Sequence, residues 1–173
     1  MECTILPAQP ADAVAIATLH VESWRSAYRG LLPDAFLDGS VVEDRMNLWR
    51  ERLNGAAEDR QLVLKAISRG ALAGFVCIRL DDAPAHGPRL DNLHVKPELK
   101  GTGIGSLLFR AARDWVGQRV PGQPMHLWVI EGNVPARRFY DRHGGVVAEQ
   151  RTLEVVPGIL VPELRYVWAP ATA

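Results

Sequence analysis

Leu93-His94-Val95-Lys96-Pro97-Glu98-Leu99-Lys100-Gly101-Thr102-Gly103-Ile104-Gly105-Ser106-Leu107-Leu108 joins an apolar run to a helical one through three glycines at alternate positions. Leu90 to Val95, apolar at Leu90, Leu93 and Val95 and bounded by Pro88 and Pro97, reads as a short strand. Past the turn, Leu107, Leu108, Ala111, Ala112, Trp115 and Val116 recur at helical intervals, which predicts a helix. Glycines between a strand and a helix leave backbone N–H groups uncovered, and the helix N-terminus adds partial positive charge. Such a turn can wrap a pyrophosphate. A plain tight turn has the same sequence, so both readings stand at this point.

Two commoner nucleotide loops fail. A Walker loop needs Lys-Ser/Thr after its last glycine, and here Gly105 is followed by Ser106-Leu107. A dinucleotide fingerprint started at Gly101 needs Gly or Ala at position 106, and it belongs at the opening of the sheet. Neither condition holds.

Working outward, a short apolar opening, Thr4-Ile5-Leu6, precedes a predicted helix from Pro10 with Val14, Ala17, Val21, Trp24 and Tyr28 on one stripe, ended by Gly30. A second helix is expected from Pro33-Asp34, with Val42, Met46, Trp49 and Leu53 aligned, until Asn54-Gly55 breaks it. Gln61 to Ile67 and Leu72 to Leu80 read as a hairpin around Ser68-Arg69-Gly70, and Asp81 to Pro88 as a loop. After the glycine-turn helix, Met125 to Ile130 predicts a strand, Val134 to His143 a short helix, and Val146 to Val156 and Val161 to Trp168 two final strands. No period of repeat length recurs.

The chain has 173 residues, 47% of them hydrophobic and 23% charged, enough for a full core in one domain spanning 1–173. Its apolar runs are too short to span a membrane, and no secretory signal opens the chain, so a cytoplasmic, membrane-free protein is expected. Cys3 and Cys77 have no metal-type spacing and read as reduced thiols, Cys77 in the core. The five histidines show no ligand spacing, so no metal is expected. Equal numbers of basic and acidic side chains, 20 of each, exclude a general drive toward nucleic acid. The positive charge is nevertheless concentrated: residues 96–143 carry eight basic against four acidic side chains, while residues 1–95 carry ten against thirteen.

A second motif lies about thirty residues downstream: Asn133-Val134-Pro135-Ala136-Arg137-Arg138-Phe139-Tyr140-Asp141-Arg142-His143-Gly144-Gly145. Together the two stretches resemble the GNAT superfamily of acetyl-CoA-dependent N-acetyltransferases. The first resembles its [Gln/Arg]-x-x-Gly-x-[Gly/Ala] motif, with Lys100 in the first place. The second is similar to Asn-x-x-Ala-x-x-x-Tyr-x-x-x-Gly-Phe, with Gly145 in place of the aromatic residue. The resemblance directly covers residues 89 to 145.

The resemblance implies an α/β (α+β) fold: a mixed, mostly antiparallel sheet of about seven strands, flanked by about four helices, with strands 4 and 5 splayed. It implies that Leu93 and Val95 offer main-chain groups to the pantetheine arm of acetyl-CoA. Lys100, Gly101, Gly103, Gly105 and Ser106 would hold the pyrophosphate and Asn133 the arm, with Arg138 or Arg142 reaching the 3′-phosphate. The implied reaction is direct attack of a primary amine on the thioester in a ternary complex. A main-chain N–H near Val95 would stabilise the oxyanion and Tyr140 would protonate the departing thiolate.

The resemblance implies a base on the strand before the turn, at the places held by Arg89 and Asp91; Arg89 cannot serve, and Asp91 is the candidate, expected by alternation on one strand face with Leu93 and Val95. The same alternation turns His94 to the opposite face and a packing role. Glu22, Trp24, Tyr28 and Glu131 are candidate acceptor-site residues, and the acid excess before residue 96 hints at a cationic acceptor, a small molecule or peptide amine. Exposed strands near the C-terminus, including Leu164 to Trp168, suggest a homodimer. The rival reading is a non-catalytic CoA-binding or regulatory module.

Overall fold

The computed structural model describes residues 3–54, 60–80 and 86–170. Gly55 and the first part of the loop expected at 81–88 lie outside them. Seven strands form one sheet in the order β1-β2-β3-β4-β5-β7-β6. They are β1 (Cys3–Pro7), β2 (Gln61–Ser68), β3 (Ala71–Arg79), β4 (Arg89–Val95), β5 (Met125–Ile130), β6 (Val146–Val156) and β7 (Ile159–Trp168). Every neighbouring pair is antiparallel except β4–β5. The apolar opening of the chain is thus an edge strand of the sheet itself.

Among the described residues, five α-helices accompany the sheet: α1 (Ala13–Tyr28), α2 (Asp34–Asp38), α3 (Val41–Asn54), α4 (Ile104–Arg119) and α5 (Val134–Arg142). The single helix expected from Pro33 is two, because Gly39 adopts φ −114°, ψ −108°, outside the helical region, between α2 and α3. Its N–H closes α2 on the Phe36 carbonyl, and α3 restarts two residues later. The predicted stripes hold at Ala17, Val21 and Trp49, which are buried, and fail at their first residues. Val14 and Val42 are exposed, while Ala13, Ile16, Ala17 and His20 of α1 and Val41 and Trp49 of α3 are buried.

The middle of the sheet carries helices on both faces. On one, α4 packs Leu108, Phe109, Ala112 and Val116 onto Val76, Leu127, Tyr166 and Trp168. On the other, α1 and α3 close Ile16, Leu19 and Trp49 over Phe75 and Cys77. Burying one side chain of this size contributes about 2–3 kcal/mol. A smaller cluster of Leu32, Leu37, Ile130 and Val161 joins the α1–α2 segment to β5 and β7. The Cys77 thiol sits at the middle of the second layer, its pKa pushed up to about 12 by burial.

Two features of the sheet position the site. First, β4 and β5 meet only where Arg89 faces His126, with the His126 N–H donating to the Pro88 carbonyl at 3.0 Å, and no later residues pair. The strands therefore part toward Val95 and Ile130, as expected for the splay. Second, the β3–β4 register slips: Cys77 faces Asn92 but Ile78 faces Leu90, so Asp91 is an extra residue, a β-bulge. The bulge breaks simple alternation. Asp91 then points with Asn92 and His94 toward α1 and α3, not with Leu93 and Val95 toward α4, contrary to the expected face. The C-terminal pairing also needs correction: β7, which contains Leu164 to Trp168, has β5 on one side and β6 on the other, so the exposed edge belongs to β6.

Candidate active site

The parted strands open a groove of about 480 Å³ running from the Lys100–Ser106 turn past β4 and β5 to α5 and the end of α1. Along β4 the Lys96 N–H donates to Ala73 of β3 at 2.9 Å. Neighbouring residues of a strand direct their main-chain groups to opposite sides, so Val95 and, two before it, Leu93 turn theirs toward the groove. An extended ligand laid beside β4 meets a free strand edge there.

At the turn, Gly101 and Gly103 have φ of +81° and +91°, the left-handed region where only glycine is at ease. Local bonds consume two amides: Lys100 N–H reaches the Pro97 carbonyl at 3.3 Å and Thr102 N–H that of Leu99 at 3.4 Å. The first bond of α4 runs from Leu107 to Gly103, at 3.1 Å, and no side chain caps the helix. The amides of Ile104, Gly105 and Ser106 are the ones a helix start leaves without internal partners, and they face this end of the groove with the helix dipole behind them. A Cβ at Gly105 would come 3.4 Å from the Phe139 ring and 3.7 Å from a Val95 methyl, narrowing the channel between turn and α5. The donor set and the open helix end suit a diphosphate.

The Ser106 hydroxyl lies 3.0 Å from His143 Nε2, and His143 Nδ1 lies 2.8 Å from the Phe139 carbonyl. A carbonyl only accepts, so Nδ1 carries the proton on that side, and Nε2 shares a hydrogen bond with the Ser106 hydroxyl. Asn133 caps α5, its Oδ1 accepting the Ala136 N–H at 3.3 Å, and is buried at the groove wall. Tyr140 lines the groove as well, packed against Tyr166 and Trp168. Burial, and then the neighbouring Tyr28 phenol, raise its pKa above the ordinary value. Its hydroxyl makes no hydrogen bond to another described side chain. Tyr28 is also raised by burial, against a hydrogen bond from Asn133 that lowers it.

These features match a known family. The chain aligns with the acetyltransferase (GNAT) family over residues 17–145, most of its length. It belongs to that family. Among its relatives, the uncharacterized N-acetyltransferase YuaI of Bacillus subtilis is 26% identical over 98% of this chain and 95% of its own. A probable N-acetyltransferase of Mycobacterium tuberculosis is 27% identical over 94% of this chain and 91% of its own. The fold is shared with the PaiA N-acetyltransferase of Thermoplasma acidophilum, solved with coenzyme A: TM-score 0.78, 20% identity, 97% of this chain and all of that one.

Within this GNAT domain, the departure at Gly145 has a steric cause. A Cβ there would sit 2.7 Å from the Trp168 ring and 2.9 Å from Tyr166, so these two rings of β7 leave no room for a larger side chain. Lys100 lines the groove, with Nζ 3.5 Å from Ser26 of α1.

The structure brings Leu93, Val95, Lys100, Gly101, Gly103, Gly105, Ser106, Asn133, Tyr140, Asp91 and Tyr28 onto the one groove. Glu22, Trp24, Glu131 and Arg138 do not line it, whereas Arg142 does. Glu22 is exposed on α1. Trp24 packs edge-on to His20 and Tyr28, with the Arg45 guanidinium 4.7 Å over its ring. Glu131 accepts from Arg137 through its carbonyl at 3.1 Å.

Asp91 holds two guanidinia, Arg52 Nη1 at 2.6 Å and Arg89 Nη2 at 2.7 Å, and Arg52 also donates to Asn92 Oδ1 at 2.8 Å. The polar and aromatic lining also includes Ser23 and Trp128, which sequence reading did not single out, and His94, to which it gave a packing role. The Ser23 hydroxyl lies 2.8 Å from His94 Nδ1, and burial, then Lys100 and Arg45, push the His94 imidazole down to about 3. Trp128 carries the Arg151 guanidinium 3.8 Å over its ring. No sequence signal separated these from the core, because β5 is apolar on both faces and the bulge in β4 is silent. Among the described residues, no group of three or more His, Cys, Asp or Glu has metal-binding geometry, and no helix is long and apolar enough to cross a membrane.

Proposed function

We propose that this acetyltransferase moves the acetyl group of acetyl-CoA to a primary amine by direct attack within a ternary complex. The observation that carries the reading is the groove itself: one free strand edge, one uncapped glycine turn at a helix start, and one phenol between them. The Ile104, Gly105 and Ser106 amides bind the diphosphate, and the main chain of Leu93 and Val95 aligns the pantetheine arm as an added strand. The Val95 N–H stabilises the oxyanion. Tyr140, kept protonated by burial, is placed to return a proton to the thiolate. Acetyl-CoA supplies the activated acyl group.

Removal of the amine's proton falls to no strong base. Asp91 is neutralised by two arginines, and His94 is a neutral imidazole anchored by Ser23. We assign Asp91 to positioning Arg52 and Arg89, while the acceptor reaches the thioester already neutral, its proton lost to water. A panel of small amines, amino acids and peptides, assayed for free CoA release, tests the reading. Turnover with at least one primary amine is expected. CoA binding by calorimetry, without turnover on any of them, would instead identify a non-catalytic module.

A further inference from the structure

The two edges of the sheet differ. β1 is five residues long and ends in Pro7, features that blunt an edge. β6 is eleven residues long, has neither lysine nor proline, and exposes every residue from Val146 to Glu154. Bulges interrupt its pairing with β7 at Ala148 and Val155, but Glu149 to Glu154 runs in unbroken register. Natural sheets seldom leave such an edge bare.

The charges on this stretch complement themselves. We propose that a second copy of this chain pairs antiparallel along β6, with the two-fold axis at Gln150, so that Glu149 of each copy faces Arg151 of the other. Within one chain, Arg165 Nε already donates to Glu149 at 2.8 Å, and Arg151 Nε and Nη2 reach Glu163 at 3.0 and 2.8 Å. Residues directly opposite in an antiparallel ladder share a face, so these pairs extend across the joint. Each row then reads arginine 165, glutamate 149, arginine 151 of the second copy, glutamate 163 of the second copy, with the sign alternating at every step. Moving the axis one residue either way sets Glu149 against Glu149 or Arg151 against Arg151, which repels. The sheet becomes continuous through both copies.

Light scattering across a concentration series tests the pairing, with a mass twice the 19.1 kDa of the chain expected. A cysteine cross-link then tests the register, in a Cys3→Ser background that removes the partly exposed native thiol. At the axis a residue faces its own copy with Cα atoms about 4.5–5.5 Å apart, within disulfide reach. The Gln150→Cys variant should therefore cross-link on mild oxidation. Thr152→Cys should not, because its two copies lie roughly 13 Å apart, four strand residues. A mass of one chain at every concentration overturns the proposal. So does a dimer in which Gln150→Cys fails to cross-link or Thr152→Cys cross-links instead.

Discussion

The two sides of the groove are built by different means. The side assigned to the cofactor consists of backbone: the outer edge of β4, the amides of the glycine turn, and the start of α4. The side facing α1 and α3 consists of side chains from scattered elements, with Asp91 held by Arg52 of α3, His94 by Ser23 of α1, and Trp128 stacked under Arg151 of β6. A backbone site needs only the right dihedrals, which a short run of glycines specifies. A side-chain site needs the whole fold to be correct first. The first can be kept through a family while the second diverges.

The largest effect should fall where the two sides meet. Tyr140→Phe removes one hydroxyl from a ring packed between Tyr166 and Trp168, so fold and cofactor binding should persist. Acetyl transfer should drop by about 10²–10⁴-fold if the phenol protonates the thiolate. Steady-state rates together with CoA calorimetry check this. An unchanged rate would move the acid elsewhere and weaken the division of labour between the two sides.

On the acceptor side, Asp91→Ala leaves two guanidinia facing each other in a largely buried position. The side chains of Arg52, Asp91 and Arg89 are 12%, 16% and 27% exposed. Stripping the anion from such a cluster costs about 3 kcal/mol in unfolding free energy, read from urea denaturation. A loss below about 1 kcal/mol would class the cluster with ordinary surface pairs.

The same contrast governs what the sequence disclosed. Lys100 to Ser106 and Asn133 to Tyr140 are contiguous, and each motif carries its own local structure, so the turn, α4, α5 and the succession of strands and helices along the chain were readable, while the place of β7 between β5 and β6 was not. The face of Asp91 was not, because one bulged residue in β4 inverts the alternation without any glycine or proline to announce it. His94 and Ser23 stand 71 positions apart, and nothing local links them. Trp24 looked as much like an acceptor residue as a core residue, and only packing against His20 and Arg45 separates the two. The split of α2 from α3 turned on the dihedrals of Gly39, a residue also found inside helices.

The cofactor side should respond more gently to change. Gly103→Ala meets no atom within 4 Å of the new Cβ, so its cost is purely conformational, at φ +91°. Placing alanine in the left-handed region costs roughly 1–2 kcal/mol. If the turn keeps its shape, stability falls by that amount; if it relaxes, the amides turn away and CoA affinity falls by about tenfold for a comparable energy. Calorimetry beside thermal melting separates the outcomes, and no change in either would show that the turn tolerates a side chain.

The smallest effect concerns neither side of the groove but the brace that ties the start of α1 to β2. Asp12 accepts Lys65 Nζ on both oxygens, at 2.8 and 2.6 Å, and its Oδ2 accepts the Gln9 N–H at 2.7 Å. Burial works to raise its pKa, but the hydrogen bonds from Lys65 and Gln9 outweigh it and hold the carboxyl below its ordinary 3.8. A carboxylate depressed in the folded state adds stability that is complete above its unfolded pKa and disappears as pH falls through the folded one. The Asp12→Asn variant should therefore lie below the parent at pH 7, and the gap should close as pH drops below about 4. Urea midpoints at the two pH values measure this. A gap that persists in acid would mean that the brace acts through packing and not through charge.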